Sequence, residues 1–239
     1  PILEHLGALH NELAGFYDAR KEYKNASVQF KEALFCYQKR PPKESLLHLR
    51  VAYATSLRNA GFREQAAEIF EQCVGDAQKI KVLKATDISP EWLEFSAGII
   101  FDELGNKKQA LRAMEKTRLL SAARGDKVYD VLALSWIAHD LLRQKKYTQA
   151  KTALEAVRTR SRDIEHLYMD TTLALANLAD IQAEFKQAKA LYENCLAFAK
   201  EKQLARYQML AMSGLSETLD HTNDFVSSCL LYTSPSPRD

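Results

Sequence analysis

Apolar side chains recur at helical spacing along most of the chain. His10, Leu13, Ala14 and Tyr17 follow one another at intervals of three, one and three residues. After a short polar break, Ala26 and Phe30 begin a second stripe of the same kind. Residues at these intervals lie on one face of an α-helix. The pattern therefore predicts two amphipathic helices joined by a turn.

The same two-helix pattern returns at a nearly fixed distance. Its clearest marker is one alanine in each second helix, and successive markers lie 40, 44, 40 and 38 residues apart. These markers are Ala26, Ala66, Ala110, Ala150 and Ala188. A period of this size is typical of stacked helical repeats, in which each unit buries its apolar face against its neighbours. The sequence therefore predicts an all-α solenoid of antiparallel helix pairs, with about five and a half repeats.

Turn and capping residues mark the boundaries between helices. Pro41 and Pro42 cannot continue a helix, so they separate the first two units. Ser89 before Pro90 predicts a capped helix start, and Gly125 predicts a helix end. A heptad coiled coil is the competing all-helical interpretation. Glycine-containing turns interrupt every candidate before three heptads, so we favour the repeat.

The recurring residues resemble the tetratricopeptide repeat (TPR) family. That family places a small residue and an aromatic on the first helix and then Ala, Phe and Ala on the second, as in Tyr17 followed by Ala26, Phe30 and Ala33. The resemblance covers residues 1–228 and implies a right-handed superhelix with a concave binding surface. The period is longer than the commonest one of about 34 residues. This feature is similar to solenoids found beside regulatory modules in bacterial transcription activators and signalling enzymes.

Charge and composition exclude several classes of function. The 239 residues include 33 basic and 31 acidic ones, for a net charge of +2, which disfavours nucleic acid as a direct partner. The apolar stretches are far shorter than the roughly 20 residues of a membrane-spanning helix. The chain contains no phosphate-binding glycine loop, no zinc motif and no nucleophile elbow. We therefore expect no enzyme, metal or cofactor site.

The cysteines point to a reducing environment. Cys36, Cys73 and Cys195 show no paired spacing, and the last two occupy equivalent small-residue positions of two repeats. A buried thiol acts there as a small apolar group. We expect reduced, structural cysteines in a cytoplasmic protein.

Both ends of the sequence suggest a fragment. The chain opens at Pro1 with neither a methionine nor a leader. Residues 229–239 match the translation of the transposon end and adapter of a Nextera-type sequencing library, so we expect a disordered tail foreign to the gene. The sixth unit then lacks its second helix. We expect its first helix to expose Met212, Leu215 and Leu219.

The family resemblance also implies a binding surface. In TPR proteins the concave face is lined by first-helix residues one, four, eight and eleven places beyond the start of each unit. From this projection we select the following candidate partner-binding residues: Val51, Thr55, Arg58, Trp92, Phe95, Ile99, Ser135, His139, Asp170, Asn177, Asp180, Glu217 and Asp220. The middle of this set is apolar and its C-terminal part is acidic. It predicts a protein or peptide partner with an apolar anchor and a basic flank.

Two interpretations of these residues stay open. Trp92 and Phe95 either contact a partner or pack against the preceding helix, and the carboxylates are either a binding surface or an ordinary solvated face. The leading functional prediction is a non-catalytic scaffold for protein–protein interaction. The alternative is a sensory or dimerisation region of a larger bacterial signalling or transcription-regulatory protein, with a homodimer formed through an exposed terminal helix.

Overall fold

Every regular element of the computed structural model is an α-helix within the residues that it describes, which are 2–37, 43–79, 88–222 and 224. Pro41, Pro42 and the predicted tail at 229–239 lie outside these residues. The helices of the described part are α1 Ile2–Ala19, α2 Tyr23–Tyr37, α3 Lys43–Asn59, α4 Arg63–Lys79, α5 Pro90–Glu103, α6 Lys107–Arg124, α7 Lys127–Arg143, α8 Tyr147–Arg160, α9 Glu165–Ile181, α10 Phe185–Glu201 and α11 Ala205–His221. The predicted all-α fold is confirmed.

Within each repeat, a three-residue turn joins the two helices, and its middle residue has left-handed backbone. These middle residues are Lys21 (φ 62°), Gly61 (φ 92°), Gly105 (φ 77°), Lys145 (φ 59°) and Ala183 (φ 58°). A left-handed residue reverses the chain tightly enough to bring the second helix back along the first. The turns repeat with the same spacing as the marker alanines. Each unit is therefore a helix–turn–helix pair with antiparallel helices.

The marker alanines lie where the two helices of a pair approach each other. All five are fully buried, as the period predicts. The predicted caps are also present, since Ser89 Oγ accepts a hydrogen bond from the Trp92 backbone N–H at 3.2 Å and Gly125 ends α6 with φ 73°. The helix boundaries thus follow from local sequence.

By its internal contacts the chain divides into two compact units, Pro1–Ala133 and Leu134–Asp239, with the boundary inside α7. In the first unit each helix from α1 to α5 packs against the next one in sequence. One core cluster of this unit joins Ala14, Ala26, Phe30 and Ala33 to Leu49 of α3. This contact shows how the second helix of one pair packs against the first helix of the next.

In the second unit α8, α9, α10 and α11 pack in the same sequential way, and α11 also contacts α9. The predicted exposure of the α11 stripe is wrong for Leu215 and Leu219, which are buried against Ala176, Ala179 and Tyr192. That stripe faces the preceding pair, so it needs no following helix to cover it. Met212 is half-buried. The exposed large apolar side chains of α11 are Met209 and Leu210.

The cysteines of the described residues behave as small apolar groups. Cys36, Cys73 and Cys195 are buried and unpaired. Burial raises the pKa of Cys73 and of Cys195 to about 12, so neither thiol ionises near neutral pH. Their predicted structural role agrees with this environment.

No helix in the described part of the chain is long and apolar enough to cross a membrane.

Candidate partner-binding surfaces

The candidate residues lie on first helices of both compact units. Two groups stand out, and each is described within its own unit. We call Trp92, Phe95 and Ile99 of α5 the apolar surface. We call the carboxylates of α9 and α11 the acidic surface, and it consists of Asp170, Asp180, Glu217 and Asp220.

The apolar surface is formed by one face of α5. Its three residues are separated by three and four positions, and each side chain is half-buried. The Trp92 ring lies 6.2 Å from the ring of Phe70 in α4, and the Phe95 ring lies 5.9 Å from that of Tyr129, measured between centroids. Each aromatic ring therefore packs on a neighbouring helix with one side and remains partly open. The opposite face of α5 is buried in the core.

The candidates on α3 are less available to a partner. Val51 is only 7% exposed, which corrects its assignment as a surface residue. Thr55 donates its hydroxyl to the Val51 carbonyl at 2.8 Å. Arg58 forms an ion pair with Glu103 of α5, with Nε 3.3 Å from Oε2. The hydrogen bonds from Arg58 hold the pKa of the Glu103 carboxyl below its usual range, so the pair is ionised and its charges compensate each other.

The acidic surface contains three exposed carboxylates and one that is half-buried. Asp170, Glu217 and Asp220 are exposed. Asp180 instead accepts a hydrogen bond from Thr218 Oγ1 at 3.1 Å and lies 3.4 Å from His221 Nδ1. It therefore fixes α11 against α9. The three exposed carboxylates form the part of this surface that a basic partner can reach.

The Asp180 contact recurs elsewhere in the array. In the first unit, buried Ser56 donates its hydroxyl to Asp18 Oδ1 at 2.9 Å. In both cases the aspartate lies near the end of one first helix and the hydroxyl lies 38 residues later, on the next first helix. Sequence reasoning missed this contact and assigned Asp180 to the binding surface. The signal that could have revealed it is an aspartate followed 38 residues later by serine or threonine.

The remaining candidates lie on α7 and α9. Ser135 is 7% exposed, so its assignment to the surface is corrected like that of Val51. A fixed spacing rule counts positions along one helix and takes no account of neighbours that cover them. His139 is half-buried, and burial lowers the pKa of its imidazole although Asp170 opposes the shift. Asn177 is exposed and accepts a hydrogen bond from the Tyr192 hydroxyl.

Metal ligation finds no support in the part of the chain that the structure describes. Among those residues, no three His, Cys, Asp or Glu side chains are grouped so that they could hold a metal ion. The geometry of both surfaces suits recognition by apolar contact and by charge.

Solved structures of known proteins share this architecture. No family model matches the sequence, and no curated protein matches it significantly. A putative kinesin light chain of Podosopora anserina with nearly identical TPR-like repeats is 20% identical, with a TM-score of 0.64, and the match covers 83% of this chain and 98% of that one. A signal transduction ATPase of Pyrococcus horikoshii with a tetratricopeptide repeat sensor is 13% identical, with a TM-score of 0.78 over 95% of this chain and 35% of that one.

A third solved structure, YrrB, is described as a TPR protein with an unusual peptide-binding site. It is 14% identical, with a TM-score of 0.55, over 85% of this chain and 89% of that one. These likenesses show the fold. The chain has the TPR-like architecture of consecutive helix pairs that its alanine period predicts.

Proposed function

We propose that this chain is a non-catalytic interaction scaffold that binds a peptide or protein segment on its first-helix face, the concave groove of TPR arrays. The observation that carries the proposal is the apolar surface, where Trp92, Phe95 and Ile99 share one partly open face of α5. Partly open aromatic side chains on a helical framework are typical anchor sites for a partner. The similarity to YrrB, a TPR protein with a peptide-binding site, supports this assignment.

The acidic surface favours a partner that carries positive charge. Asp170, Glu217 and Asp220 are exposed, so they attract Lys or Arg without a large desolvation penalty. Contacts of this kind act mainly on the rate of association and weaken as salt screens them. We therefore propose a partner with an apolar anchor for the first unit and a basic segment for the second.

The test is a selection of displayed random peptides on the full chain. We expect enriched peptides to combine an aromatic or large aliphatic residue with Lys or Arg. Replacing both Trp92 and Phe95 by Ala should weaken their binding about ten-fold or more, since anchor residues carry most of the binding energy. The matched control is Phe35→Ala on α2, because Phe35 is 66% exposed and lies outside both surfaces.

Two results would overturn the proposal. Enriched peptides that bind the double variant as tightly as the parent chain would place recognition elsewhere. A fall in thermal stability of the size expected for a buried aromatic, about 3–5 kcal/mol per residue, would assign Trp92 and Phe95 to the core. Asp220→Lys with Glu217→Lys separately tests the basic flank, because it should abolish the salt dependence of binding.

A second candidate function is a sensory region that dimerises. It is favoured by an apolar stripe on α1 whose members lie three or four residues apart and are all exposed, with Leu9 at 63%. The stripe consists of Ile2, Leu6, Leu9, Leu13 and Phe16. Apolar residues at this spacing suit pairing with a second copy of the same helix. The similarity to the sensor-bearing ATPase is consistent with such a role.

Analytical ultracentrifugation across a concentration series tests the second candidate. A dimer that dissociates on replacing Leu9 and Leu13 by Glu would support it. A monomer at all concentrations would exclude the α1 stripe as a self-association surface.

A further inference from the structure

The exposed stripe of α1 occupies positions that are buried in every later first helix. The first helices end at equivalent positions, and the first four intervals between these ends are those of the marker alanines. The ends are Ala19, Asn59, Glu103, Arg143, Ile181 and His221. Residues of different first helices can therefore be compared by counting back from these ends.

Two members of the α1 stripe show the contrast. Leu9 is 63% exposed, whereas its equivalents Leu49, Leu93, Ala133, Thr171 and Ala211 are at most 6% exposed. Phe16 is 55% exposed, whereas its equivalents Ser56, Ile100, Asp140, Leu178 and Thr218 are at most 5% exposed. One face of α1 is thus open where the same face of each later first helix is covered.

The cover of that face comes from the second helix of the preceding pair. In the first unit, Leu49 of α3 shares a core cluster with Phe30 of α2. In the second unit, Ala211 of α11 shares a core cluster with Cys195 of α10. Both covered residues are equivalents of Leu9. The α1 stripe therefore has the position and the apolar character of a contact that the array forms repeatedly.

The covering helices share a residue pattern. Three of them present a small residue, a large aromatic four positions later and a second small residue after three more, all buried. These triplets are Ala26, Phe30 and Ala33 of α2, Ala66, Phe70 and Cys73 of α4, and Ala188, Tyr192 and Cys195 of α10. Small residues let the next helix approach closely, and the aromatic fills the space beside them. A helix with this pattern suits the large side chains of Leu9 and Phe16.

We propose that the α1 stripe is the docking face for a further helix pair of the same repeat type, which precedes α1 in the polypeptide and packs through its second helix. Such a pair needs only a short connection, since α10 ends at Glu201 and α11 begins at Ala205. This inference does not depend on peptide binding by the apolar or acidic surface. It competes with self-association for the same face of α1, and the experiment separates the two.

An extended chain tests the inference. It carries a second copy of residues 165–204, which form α9, α10 and the connection to α11, placed directly before Leu3. Leu3 is the equivalent of Ala205, so the added pair has the register on α1 that α9 and α10 have on α11. Leu9→Cys reports on the stripe. Ala8→Cys is the matched control, because Ala8 is exposed and its equivalent Leu210 stays 45% exposed on α11.

The measurement is the rate of iodoacetamide labelling at the introduced cysteine, followed by mass spectrometry of the peptide that contains it. We expect Leu9→Cys to react about ten-fold more slowly or less in the extended chain than in the parent chain, because labelling then requires local opening. Ala8→Cys should react at the same rate in both chains. Far-UV circular dichroism should show the helix content of two added helices of 17 residues each.

Three outcomes would overturn the inference. Equal labelling rates of Leu9→Cys in the two chains would show that the added pair does not cover the stripe. An added pair without helix content would show that α1 cannot replace α11 as its support. Protection of Leu9→Cys in the parent chain that grows with protein concentration would assign the stripe to a second copy of the chain.

Discussion

Gly214 of α11 should be intolerant of a single added methyl group. A Cβ atom built at this position would lie 2.3 Å from Tyr192 Cε1 and 2.4 Å from Tyr192 Cζ. Both distances are far shorter than a van der Waals contact between carbon atoms. The Tyr192 ring is buried between α9, α10 and α11, and its hydroxyl donates to Asn177. Gly214→Ala therefore forces a rigid, enclosed ring to move.

The size of the effect follows from opposing contributions. Overpacking a core contact costs about 1–3 kcal/mol. Displacing Tyr192 also weakens its hydrogen bond to Asn177, which contributes about 1 kcal/mol. Replacing glycine by alanine inside a helix stabilises the folded chain by about 0.5–1 kcal/mol, which offsets part of this loss. We expect the free energy of unfolding to fall by about 1–3 kcal/mol in total.

Urea unfolding followed by far-UV circular dichroism measures this change. Gly15→Ala is the control, since no atom lies within 4 Å of its added Cβ, and it should raise the free energy of unfolding by about 0.5–1 kcal/mol. The decisive variant combines Gly214→Ala with Tyr192→Leu, where the clash is absent and the alanine should cost little. Equal stabilities of Gly214→Ala and Gly15→Ala would refute the close approach of α10 and α11. The close approach would also be refuted if Gly214→Ala lowered the free energy of unfolding as much in the Tyr192→Leu background as in the parent chain.

Further predictions concern the turns, the recurring hydroxyl contact and pH. Ala183→Gly should raise the free energy of unfolding by about 0.5–1 kcal/mol, because Ala183 has φ 58° and glycine adopts this conformation without strain; thermal unfolding measures it. Ser56→Ala should lower stability by about 1–2 kcal/mol, because it removes the buried hydroxyl that binds Asp18, and Ser56→Thr should preserve most of it. Burial lowers the pKa of His139 below its usual 6.5, so the unfolded chain binds more protons below that pH. Stability should be complete above pH 6.5 and fall as the pH drops through the lowered pKa, and His139→Gln should remove this loss in urea unfolding at a series of pH values.

The sequence predicted those features that depend on contacts within a pair of helices. Ala26 and its equivalents lie where two backbones meet, so the residue type directly reports the geometry. Features that depend on the next pair were harder to predict. Leu215 looked exposed because its covering helix was placed after it in sequence, whereas α9 and α10 cover it. Val51 looked exposed because the spacing rule ignores neighbouring helices.

For the charged candidates, too, the spacing rule fails to predict which side chains are available to a partner. Asp180 and Asp220 occupy equivalent positions in the projection, yet the first binds Thr218 and the second is exposed. Arg58 was selected as a surface cation, but its charge is compensated by Glu103, which lies 45 residues away in the chain. A spacing rule identifies the helix face on which a charge lies. Whether that charge is available depends on a partner that only the tertiary structure reveals.

The buried alanines mark the period in the sequence more clearly than the left-handed turn residues do. Both positions recur at the same intervals, but the turn position contains Lys21, Lys145 and Ala183 as well as glycine. A residue with a side chain pays about 1–2 kcal/mol for left-handed backbone, and an exposed turn leaves room for that side chain. A large side chain at a fully buried alanine has no such room, because two helix backbones enclose it. The inter-helix contact therefore restricts residue type more strongly than the turn, although both are required to form each pair.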